Sequence, residues 1–123
     1  MIRIVGVQRN ESAQKEFILL QNQGSLRINL KGHLVASEAA IASSDLSFAA
    51  FAFSDDTLVP PGMYVLLSTG CGEPKWTRTK EGSLLYYTYM NRTSSVWERC
   101  SGAVHLLGLQ HTYVDRGPAL LLR

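Results

Sequence analysis

The stretch Phe17-Ile18-Leu19-Leu20-Gln21-Asn22-Gln23-Gly24-Ser25-Leu26-Arg27-Ile28-Asn29-Leu30-Lys31 reads as two strands joined by a turn. Phe17 to Leu20 is a continuous apolar run, as expected of a strand near the middle of a core. Asn22 to Ser25 is a cluster of turn-forming residues. Leu26, Ile28 and Leu30 then alternate with Arg27, Asn29 and Lys31, a period of two that wets one face and buries the other.

Working outward, the same grammar repeats. Arg3 to Val7, His33 to Ala36, Ala49 to Phe53, Met63 to Leu67, Leu84 to Tyr89, Ala103 to Leu107, His111 to Val114 and Ala119 to Leu122 are further short strand candidates. Pro61-Gly62 suits the central positions of a type II turn, because proline presets φ and glycine accepts a positive one. Ser37 to Ser44 is alanine-rich and reads as one helical turn or a plain loop. Gly70 to Gly82, the longest polar stretch, reads as a surface loop. No long helical periodicity appears. Eight or nine short strands with turn signals about every ten residues predict an all-β sandwich or barrel. Phe17, Leu19, Ile28, Phe51, Phe53, Val65, Leu67, Val104 and Leu106 are its expected core.

The chain has 123 residues, one domain's length and enough to bury a core without staples. The charged fraction of 18% lies below the usual quarter, which excludes a disordered tail. A net charge of +2 is too small to be a nucleic-acid or membrane-surface signature. No stretch approaches the roughly 18 apolar residues of a membrane span. The first strand-like run begins at Ile2, leaving no room for a signal peptide, so a cytoplasmic location is the default expectation. Two cysteines, Cys71 and Cys100, are too few for a disulfide framework and are expected to be free thiols.

Four phrases in order resemble the lamin tail family: Glu16 to Asn22; Leu30-Lys31-Gly32-His33-Leu34; Phe53 to Val59 running into Pro60-Pro61-Gly62 and Met63 to Leu67; and Val96-Trp97 followed by Gly102 to Leu107. The resemblance spans Ile2 to about Leu122. His33 stands where the family usually has tryptophan, and Ser37 to Leu46 looks like an insertion. The resemblance implies an immunoglobulin-like β-sandwich of 1–123, a stand-alone or appended member of bacterial type. It implies a non-catalytic interaction module with a protein or peptide partner and no cofactor. Fold-level analogy carries function no further than that.

Chemistry-bearing residues are few. A structural zinc site usually presents paired ligands two to four residues apart, and no cysteine pair of that kind exists. His105 and His111, six apart across an expected hairpin, are the nearest approach, and ordinary strand histidines are the better reading. Cys100 with His105 could supply a thiol and a base, but no signature surrounds them. Asp55-Asp56 are adjacent and therefore diverge, so they read as a solvated turn. The strongest binding candidate is Lys75, Trp76, Arg78 and Lys80, where cations could meet phosphate while the indole stacks on a base. Glu73 and Glu81 dilute that charge. This nucleic-acid or anionic-ligand reading is the alternative to the interaction module. Ala119-Leu120-Leu121-Leu122 adds a candidate edge strand for a weak homodimer.

Overall fold

The computed structural model describes residues 1–108. Among the described residues ten strands carry the fold: β1 (Ile2–Gln8), β2 (Phe17–Asn22), β3 (Ile28–Asn29), β4 (His33–Ser37), β5 (Ala50–Ala52), β6 (Leu58–Val59), β7 (Tyr64–Ser68), β8 (Lys75–Arg78), β9 (Leu84–Tyr89) and β10 (Val104–Gly108). A 3-10 turn, Ala13–Lys15, precedes β2, and one short helix, α1 (Glu38–Ser43), follows β4. Five strands form one sheet in the order β1-β2-β7-β9-β8, three form a second as β10-β4-β5, and β3 pairs with β6. All pairings are antiparallel except β7 with β9. The expectation of an all-β chain is met. His111 to Val114 and Ala119 to Leu122, and with them the terminal-strand dimer, lie outside the described residues.

Local chemistry explains the joints. Gly62 has φ +80° and Met63 N donates to Pro60 O, the type II turn expected of Pro61-Gly62. The alanine-rich segment forms a helix because Ser37 caps it, its hydroxyl accepting from Ala40 N. Ser44 ends it in a left-handed conformation. Gly70 to Gly82 is not wholly a loop, since β8 runs through it. Threonine and tryptophan at Thr77 and Trp76 favour a strand there despite the flanking glycines.

Ile18, Leu20, Leu30, Val35, Phe53, Val59, Val65, Leu67, Val96 and Trp97 make the core. Phe53, Val65 and Leu67 were expected there. Ile28, Phe51, Val104 and Leu106 are only partly buried against it. Their strands are short or lie at the sheet margins, so each keeps one flank open. Phe17 and Leu19 are a correction: they face outward, and Ile18 and Leu20 face inward. A continuous apolar run does not reveal its own parity. The flanking Glu16 suggests that even positions face water, yet Glu16 is itself buried. Of the alternating residues after the turn, Leu30 is fully buried while Leu26 is 75% exposed, because β3 covers only two residues.

Candidate functional site

The side chains that were to form a basic ligand site are split by the sheet. In β8, Lys75 pairs with Tyr87, Trp76 with Tyr86 and Arg78 with Leu84. Successive side chains of a strand point to opposite faces, so Lys75 projects outward while Trp76 and Arg78 take the inner side of the edge. The contacts agree: Lys75 Nζ lies 5.8 Å from the Tyr87 ring, and Trp76 packs on Tyr86 at 5.0 Å. The Arg78 guanidinium donates to Gly82 O at 2.8 Å. Lys80 is exposed in the hairpin beyond. Trp76 is 39% exposed and folds back on the domain.

The other candidates are engaged elsewhere. Cys100 Sγ lies 3.3 Å from Val96 O, while His105 Nε2 meets the Glu38 carboxylate. Thiol and imidazole therefore have separate partners. His111 lies outside the described residues, and among those residues no group of three histidine, cysteine or acidic side chains converges. Cys71 and Cys100 are both free thiols. Asp55 and Asp56 diverge as expected, but Asp55 is not a solvated turn residue. It accepts from Tyr86 Oη at 2.8 Å and Thr88 Oγ1 at 2.9 Å. Burial and the adjacent Asp55 raise the Tyr86 phenol above its ordinary value, against a lowering bond from Thr57.

Two polar residues at the ends of β2 hold the fold together. Glu16 is fully buried. Its Oε1 accepts from Thr69 Oγ1 (2.8 Å), Val96 N (2.8 Å) and Trp97 N (3.0 Å), and its Oε2 from Glu98 N (2.8 Å) and Asn10 N (3.3 Å). Burial alone would raise this carboxyl, but the donors from Val96, Trp97, Thr69 and Asn10 outweigh it and hold the group below its ordinary 4.5. Asn22, also fully buried, donates through Nδ2 to Leu26 O (2.8 Å) and Val59 O (2.9 Å) and accepts from Gly24 N. Glu16 and Asn22 were visible as the ends of one phrase; their burial was not, because the donors to Glu16 come from as far as 82 residues away and the acceptors of Asn22 from as far as 37.

What the sequence hid is the outer face of the five-stranded sheet. The register places Phe17, Leu19 and Gln21 of β2 beside Ser68, Leu66 and Tyr64 of β7, and these beside Tyr89, Tyr87 and Leu85 of β9. Phe17, Leu19, Tyr64, Leu66, Leu85 and Tyr87 are all half-buried. They form an apolar and aromatic band across three strands. A groove of about 580 Å³ lies over its centre, closed at one end by Thr79, Glu81 and Ser83 of the β8–β9 hairpin. Phe17 and Leu66 are shared with a second depression that reaches Gln14 and Cys71, and these two lead to a third beside Glu11 and Arg92. Gly72 lies against the Tyr89 ring so closely that a Cβ there would come within 2.5 Å of it. Tyr89, also half-buried, thus packs on Gly72 while lining the second depression beside Tyr87. No helix among the described residues is long and apolar enough to cross a membrane.

No protein-family model, curated protein or solved structure matches this chain.

Proposed function

We propose that the chain is a non-catalytic interaction module, an immunoglobulin-like sandwich of lamin tail type, which engages a protein partner through the outer face of its five-stranded sheet. The observation that carries this reading is the band of Phe17, Leu19, Tyr64, Leu66, Leu85 and Tyr87. A sheet face turned to water ordinarily alternates to polar residues. This one keeps large apolar and tyrosine side chains on all three of its inner strands, the composition of contact surfaces. The lamin tail reading is supported by the order of its four phrases and by the buried positions of Glu16, Asn22 and Trp97, which lie within two of them.

Position-specific photo-crosslinking tests the reading. A crosslinker at position 85, in the chain expressed in its host of origin, should trap a discrete protein adduct. A crosslinker at position 76 should not trap nucleic acid. Nucleic-acid adducts at 76, together with salt-sensitive retention of the chain on DNA that Lys75→Glu abolishes, would replace it with the alternative function.

A further inference from the structure

We infer that the partner on this face is an amphipathic α-helix with acidic residues flanking its apolar stripe. The inference rests on the interaction-module reading and deepens it. Three arguments identify the occupant: dimensions, backbone hydrogen bonding and charge.

The band spans β2, β7 and β9. At about 4.8 Å between strands it is about 10 Å across, and five residues of β7 give it about 17 Å of length. An α-helix is about 10–12 Å wide and rises 1.5 Å per residue, so about three turns laid on the band would cover it. A second copy of the chain fits poorly. The footprint is about 170 Å², against about 800 Å² per partner in a stable interface.

The backbone decides between helix and extended segment. The band offers Leu19, Leu66 and Leu85 side chains beside two tyrosine rings, and no free main-chain edge. An extended segment pressed onto it would bury amide groups with few partners, which is costly. A helix satisfies its own backbone and presents an apolar stripe at i, i+3, i+4 and i+7. Charge sets the flanks. Arg3 pairs with Gln21, on the outer side of β1, and is exposed. Lys75 stands on the outer side of β8, across the band. One cation therefore lines each long side, while the Glu81 carboxylate stands at the end closed by the β8–β9 hairpin, so acidic residues bordering the helix stripe away from that end would meet both cations.

The test selects a displayed library of random 16-residue peptides against the full chain and maps each ligand by amide chemical-shift changes. The expected ligands have apolar residues at helical spacing with Asp or Glu beside them. They shift amides in 17–19, 64–66 and 84–87. They lose tenfold or more in affinity to Leu66→Lys and to Lys75→Glu, and are unaffected by Lys31→Glu, which lies in the exposed turn between β3 and β4, away from this sheet. If Leu66→Lys does not fold, the shift map on the unsubstituted chain decides. Ligands with a period of two on the same face would overturn the helix and leave the interaction module standing. Absence of any ligand on this face would overturn both. Concentration-dependent sedimentation abolished by Leu66→Lys would assign the face to a second copy. Displacement of ligands by a synthetic peptide of residues 109–123 would assign it to this chain's own end.

Discussion

Replacing Glu16 with glutamine should unlock the domain at one point. The carboxylate is fully buried and accepts five hydrogen bonds, three on Oε1 and two on Oε2. Glutamine preserves the shape but turns one oxygen into a donor. Placed best, its oxygen serves Thr69, Val96 and Trp97, and its amide then faces the N–H groups of Asn10 and Glu98. Two charge-assisted bonds are lost, at about 1.5–3 kcal/mol each, and the remaining three lose their charge assistance. The expected cost is about 3–6 kcal/mol, a large part of the roughly 5–15 kcal/mol that holds a domain folded. Urea denaturation at neutral pH measures it. With a slope of about 2 kcal/mol per molar, the midpoint should fall by about 2 M at unchanged slope. The pH dependence has a definite sign. The folded carboxyl lies below its ordinary 4.5, so the unfolded chain binds the proton more readily. The stabilisation is therefore complete above about pH 4.5 and is lost as pH falls through the folded value. Glu16→Gln should remove that part of the acid sensitivity. A midpoint within about 0.5 M of the parent, with the same acid transition, would refute the reasoning.

Asn22→Asp replaces the donor to Leu26 O and Val59 O with an acceptor, and should cost on the order of 2–4 kcal/mol in the same denaturation assay. Phe53, 3% exposed in the core, should lose about 3–5 kcal/mol on truncation to alanine; a melt left unchanged would remove it from the core. Native thiol titration should find two free cysteines, the exposed Cys71 reacting before the half-buried Cys100; an intact mass two hydrogens light and restored by reductant would contradict it.

Much of the strand grammar was legible because it is local. The Pro61-Gly62 turn and the strand at Leu84 to Tyr89 lie within a few residues of what determines them, whereas the Ser37 cap, which settles Ser37 to Ser44 as a helix and not a loop, was not read. Facing was not legible wherever a strand is apolar on both sides. In Phe17 to Leu20 the inner residues are chosen by a buried carboxylate whose donors sit at 10, 69 and 96–98. Hydropathy reads Glu16 as a wet position and so inverts the strand. The same inversion hides the outer band, because it places Phe17 and Leu19 in the core. The candidate binding residues Lys75, Trp76, Arg78 and Lys80 looked like one loop by composition. Strand alternation in β8, fixed by its pairing with β9, distributes them over two sides.

The most direct measurement is solvent paramagnetic relaxation of assigned methyl groups in the native chain. Strong broadening of Leu19, Leu66 and Leu85 on the outer face is expected, with Ile18, Leu20 and Leu67 protected. Protection of Leu19 and Leu66 with broadening of Ile18 and Leu67 would invert the sheet and remove the interaction face.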